Sequence, residues 1–172
     1  MARSGVKITG KGLAGVSKNL RLLSDVDLLV GFPAETTDRP ADEGGDEGIT
    51  NAYLAYMHDN GAPEANIPAR PFMEPALKSI ESKVADKFKA IGRQVLDGYG
   101  ATAVERGFHN VGLTAQLAIQ NTINSNIGPP LSPRTLAARR RRGHEGTNTL
   151  VEFGAMRDSA SYAIRPRKKR SK

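Results

Sequence analysis

The chain has 172 residues, no cysteine and a formal net charge of +7, with 38% hydrophobic and 5% aromatic residues. Lacking cysteine, it has no disulfides and no thiolate metal sites, and no apolar run reaches the length of a membrane span. The apolar content is low for one self-sufficient globule, and 18 glycines with 10 prolines imply many turns, so partner subunits are expected to cover part of its surface.

Met1 to Gly5 lacks the apolar core of a signal peptide, and a cytoplasmic setting is expected. Val6-Lys7-Ile8-Thr9 alternates apolar and polar residues, a short strand signal. Leu13, Val16, Leu20 and Leu23 then recur at helical spacing. Val26 to Phe32 reads as a second strand, closed by Pro33. Residues 34–48 are rich in Asp, Glu, Gly and Pro and read as an exposed acidic loop. Thr50 or Asn51 caps a short helix with Tyr53, Leu54 and Met57 on one face, ended by Gly61.

Ile67-Pro68-Ala69-Arg70-Pro71-Phe72 follows as a stiff extended strap. Its prolines fix φ, remove two donors and push the residues before them out of the helical region. From Phe72 an apolar stripe runs through Met73, Leu77, Ile80, Val84, Phe88, Ile91 and Val95, predicting a single long helix. Pro75 is tolerated only in the first turn, which sets the start between Phe72 and Glu74. Gly98-Tyr99-Gly100 interrupts it. A second long helix carries Val104, Phe108, Val111, Ala115, Leu117 or Ala118, Thr122 and Ile123.

Ile127-Gly128-Pro129-Pro130 stops that helix, and Ser132-Pro133 starts another that runs into Arg139 to Arg142. Gly143 to Asn148 is a polar loop. Gly154 to Ser159 suggests one helical turn, and Ser161 to Arg165 a last strand. Residues 132–172 hold 12 Lys/Arg and 3 Asp/Glu (12 − 3 = +9), whereas the remaining 131 residues sum to 13 − 15 = −2. All the basic excess is therefore C-terminal, as in an interaction tail or a polyanion contact. The expected organisation is a single α+β domain over residues 1–165, with a basic flexible tail at 166–172. A small, mostly antiparallel sheet packs against two long helices, with extended loops between the elements.

The chain carries no constellation for chemistry. His58, His109 and His144 are scattered, with no carboxylate or cysteine at ligand spacing. The acids of the 34–48 loop do not have the spacing of a calcium loop. There is no nucleophile elbow and no phosphate loop. No enzyme activity, metal or cofactor is expected. Arg139, Arg140, Arg141 and Arg142 occupy most of a helical turn and cannot all point one way. They read equally as polyanion contacts or as partners in ion pairs between subunits. Arg165, Arg167, Lys168, Lys169 and Arg170 have the look of a localisation signal but read better as a disordered electrostatic arm, with Arg167, Lys168, Lys169 and Arg170 as candidate DNA or polyanion contacts. Arg70 and Phe72 are candidate interface anchors. The competing reading puts Phe72 in the core, where its place at the head of an apolar stripe favours it, and has Arg70 capping carbonyls of its own chain; for Arg70 an ion pair, within or between subunits, is favoured over both.

The order of these features resembles the tail-completion, neck or minor tail proteins of long-tailed double-stranded DNA phages. Val30-Gly31-Phe32 closes a strand. Ala52 to Gly61 is a short helix ending in glycine, and the strap leads into Met73-Glu74-Pro75-Ala76-Leu77. Leu131 to Leu136, the arginine run and Leu150 to Ser159 resemble the family's C-terminal segment, with Phe153 in place of the usual threonine and Met156 in place of leucine. The resemblance covers roughly residues 25–165.

It implies a structural virion subunit, made in the host cytoplasm, that assembles with itself as a ring, often hexameric, at the head-proximal end of a tail. There it would complete the tail or join it to the head connector, near the phage genomic DNA, with no catalysis and no membrane. Within that reading Arg70, Phe72 and Arg157 are the candidate interface residues. The alternative is a nucleic-acid-binding protein that uses its Arg-rich C-terminal third.

Overall fold

The computed structural model describes residues 10–33 and 49–167. The predicted strand at Val6–Thr9, the acidic loop at 34–48 and Lys168 to Lys172 lie outside the described residues. Within them the class is α+β, as expected.

The chain opens with α1 (Gly10–Ser24), passes through Asp25 into β1 (Val26–Gly31), and resumes at α2 (Asn51–Asn60). A single 3-10 turn (Pro63–Ala65) precedes the strap. Then come α3 (Met73–Ser79), α4 (Glu81–Leu96), α5 (Gly100–Asn124), α6 (Pro133–Arg141), α7 (Ala155–Asp158) and β2 (Ser161–Pro166). The two strands pair antiparallel, from Val26 opposite Pro166 to Gly31 opposite Ser161. Pro166 and Arg167 thus belong to the folded part rather than to the tail, and Arg167 N–H donates to the Asp25 carbonyl at 2.8 Å.

The element ends follow local chemistry. The Thr50 hydroxyl accepts from Tyr53 N–H at the start of α2, and the Ser132 hydroxyl accepts from Thr135 N–H at the start of α6 with Pro133 in its first turn. Gly61 closes α2 at φ 79°. A Cβ there would lie 2.7 Å from Ala69 N, so only glycine lets the strap pass this close.

Two apolar clusters form the core. The first gathers Phe72, Ala76, Ile119, Ile123 and Met156, with Met73, Ile80 and Phe32 packed against it. The second gathers Ile91, Val95, Val104, Phe108 and Val111, with Val84 and the sheet residues Val26, Leu28 and Ile164. The long α5 runs through both and lies on the sheet, where Gly112 meets the ring of Tyr162.

The predicted single helix from Phe72 to Val95 is two helices, broken at Ile80 (φ −110°, ψ 1°). The stripe serves two cores: Met73, Ala76 and Ile80 face the first cluster, and Val84, Ile91 and Val95 the second. On α2, Tyr53 faces solvent at 53% exposure, while Asn51 and Ala55 are buried, so the buried face is rotated from the expected one.

Candidate assembly surfaces and the arginine cluster

The strap fixes Arg70 at both ends. Its N–H donates to the His58 carbonyl at 2.7 Å and its Nε donates to the Pro129 carbonyl at 2.9 Å. The residue is 4% exposed. Arg70 therefore ties the strap to the segment just before α6: of its expected roles, the structure has the bond to a carbonyl of its own chain in place of the favoured ion pair. Next to it, Asp59 Oδ1 accepts from the N–H groups of Phe72 and Met73 at 2.8 and 3.0 Å, capping α3 from outside the helix.

Phe72 is fully buried and meets Phe32 edge-on at 5.8 Å. The interface-anchor reading of Phe72 is corrected: a side chain with no exposed surface in its own subunit cannot anchor a neighbour.

The arginine run divides by helical angle. At about 100° per residue, Arg134, Ala137, Arg140 and Arg141 fall within an arc of about 120°, and Arg139 lies on the other side. Arg139 is 5% exposed. Its Nη1 donates to the carbonyls of Asn148 (2.6 Å), Val151 (3.1 Å) and Gly146 (3.2 Å). Its Nε sits 3.4 Å from Glu152 Oε2, within ion-pair range but without hydrogen-bond alignment. Arg139 is therefore corrected from a polyanion contact to an organiser of the 143–152 loop.

Arg142 is half exposed and donates twice to Glu152 Oε1, at 2.9 and 2.6 Å. Arg134, Arg140 and Arg141 are exposed, and among the described residues no carboxylate pairs with them.

His58 lies within reach of the charges of Arg70 and Arg139. Burial, then the charges of Arg70 and Arg139, push its imidazole below the ordinary value of 6.5. Its Nδ1 is buried without a hydrogen-bond partner. Burial and Arg139 also lower the Arg70 guanidinium. This is an interior rich in positive charge, where carbonyl dipoles and the carboxylate of Glu152 hold Arg139.

Arg157 on α7 grips Asp158 with two bonds of 2.7 and 2.9 Å and reaches Asn124 Oδ1 at 3.4 Å. The bond to Asp158 raises its guanidinium and lowers the carboxyl. Arg167 donates to Asp27 Oδ1 at 2.7 Å across the sheet edge.

The outer surface carries several large apolar residues. Tyr53 and Tyr56 on α2, Leu113 and Leu117 on α5, and Leu96 and Tyr99 at the α4–α5 corner are between 50% and 69% exposed. Sequence reasoning missed them, except for the open choice between Leu117 and Ala118. Helical spacing places a residue on a face but does not say whether that face is covered.

Among the described residues no three His, Asp or Glu side chains gather in a metal-binding group. No helix among them is long and apolar enough to cross a membrane. Comparison with protein-family models, with curated proteins and with solved structures finds no match to this chain.

Proposed function

We propose that this chain is a structural virion subunit of a tailed phage, one that self-associates as a ring to complete the tail or join it to the head connector. The observation that carries this reading is the exposed apolar surface. Tyr53, Tyr56, Phe88 and Tyr99 are exposed, four of the nine aromatic residues in the chain. A small protein that leaves so many of its aromatics in water has faces suited to other protein surfaces. The two segments that resemble the tail-protein family also share one core cluster, Phe72 of the strap with Leu150 and Met156. Identical subunits repeating head-to-tail close into a ring when the rotation permits.

Gold-labelled antibody against this chain, imaged on tailed particles, tests the assignment. Label at the neck is the expected result. Label on the capsid, or none on the particle, would overturn it.

A second reading has its own observation. The outer face of α6 presents Arg134, Arg140 and Arg141, with no carboxylate paired to them among the described residues, which suits contact with nucleic-acid phosphates. Duplex DNA affinity should then fall with salt, each neutralised phosphate adding about 0.9 to the log–log slope. Arg140→Ala with Arg141→Ala should lower that slope by about 1.8. An unchanged slope would remove α6 from the contact.

A further inference from the structure

An open groove of about 1130 Å³ lies between β1 on one side and α3 with α4 on the other, and α5 is its floor. Leu29, Leu77 and Phe88 line its walls at 49%, 40% and 38% exposure. Phe108, Val111 and Ala115 of α5 form the floor and are buried. The outer side of the same helix carries a second apolar feature. Leu113 and Leu117, one turn apart, stand half exposed. At about 100° per residue, the three floor residues fall within an arc of about 60°. Leu113, Leu117 and Arg106 fall within an arc of about 40°, centred about 170° from the floor. One rigid helix thus presents a ridge on one side of the subunit and floors a groove on the other.

We propose that the α5 ridge of one copy of this chain seats in the β1–α3–α4 groove of the next. This contact rests on the self-assembly reading and gives it two faces. Ridge and groove are different patches, so the contact is head-to-tail. Because they point opposite ways, one subunit engages two neighbours at once and the contact repeats from copy to copy. Two leucines four residues apart are the anchors of a helix laid in an apolar groove. Charge selects this ridge as the occupant. Arg106 is exposed beside the leucines, and among the described residues no carboxylate pairs with it. Glu105, the one acid of α5, lies about 100° round the helix from it. In the groove Arg167 takes Asp27, which leaves Asp59, Glu74 and Glu81 against Lys78, a balance of 1 − 3 = −2. The other apolar ridge, Tyr53 with Tyr56, sits on a helix that holds no Lys or Arg and offers these acids no match.

Two single variants of the full chain and their mixture test it by native mass measurement. Leu117→Asp spoils the ridge and keeps the groove, and Leu77→Asp does the reverse. Each alone should be a monomer at a concentration where the unaltered chain is multimeric. Their equimolar mixture holds one intact ridge and one intact groove, so it should give a heterodimer and nothing larger. Circular dichroism verifies the fold of each variant, and Leu29→Asp replaces Leu77→Asp should the latter fail to fold. An unaltered multimer that survives either substitution, or a mixture that stays monomeric, would overturn the contact and leave the assembly reading standing. An unaltered chain that is monomeric at every concentration would overturn both.

Discussion

Arg139, Arg140 and Arg141 are consecutive and chemically identical, yet they sit in different surroundings. Arg139 satisfies three carbonyls from inside the protein, while its two neighbours face solvent. Removing it orphans those carbonyls and leaves Glu152 to Arg142 alone. Hydrogen bonds to a charged group contribute about 1.5–3 kcal/mol, three that share the two protons of one Nη1 do not add, and a buried carbonyl left without its donor adds a penalty of its own. Arg139→Ala should therefore destabilise by about 2–4 kcal/mol in urea unfolding, whereas Arg140→Ala and Arg141→Ala should stay within about 0.5 kcal/mol. Equal effects at the three positions would contradict the inward placement.

His58 makes a second residue-scale prediction. Its folded pKa lies below its unfolded value, so the unfolded chain binds the proton more readily. The stability it confers is complete above the unfolded pKa of about 6.5 and is lost as pH falls below it. The urea midpoint should drop between pH 7.5 and 5.5, and His58→Phe should reduce that drop. A midpoint that is flat with pH, or a drop that the substitution leaves unchanged, would show that His58 is not the titrating group.

At the scale of elements, the order and ends of most helices were readable because caps and breakers act locally. Thr50, Gly61, Ser132-Pro133 and Gly154 each mark a boundary through their own backbone or hydroxyl chemistry. The break at Ile80 was not readable. No proline or glycine marks it, and the apolar stripe continues across it, because the break serves the division of the core into two clusters. The inward turn of Arg139 was hidden for a similar reason, since its carbonyl partners lie 7 to 12 residues further along the chain.

Contact between elements also sets the sign of a test. Gly→Ala inside a helix ordinarily stabilises by about 1 kcal/mol. At Gly112 the added methyl would intrude on the Tyr162 ring of β2. Gly112→Ala should destabilise instead, by about 1–3 kcal/mol in thermal or urea unfolding. A gain in stability would mean that α5 does not lie this close to the sheet.

For the whole molecule, the +9 of the C-terminal third suggested one basic surface. The fold divides that charge: Arg139, Arg142, Arg157 and Arg167 are engaged within the chain, and α6 presents Arg134, Arg140 and Arg141 outward. What stands out on the surface is apolar. Tyr53 with Tyr56 and Leu113 with Leu117 lie one turn apart on their helices, so each pair forms a ridge.

Native mass measurement of the full chain tests the central claim most directly. Self-association through these faces predicts one closed multimer of identical subunits, and Tyr56→Asp with Leu117→Asp should dissociate it without unfolding the subunit. A monomer at every concentration, or a multimer indifferent to both substitutions, would contradict it.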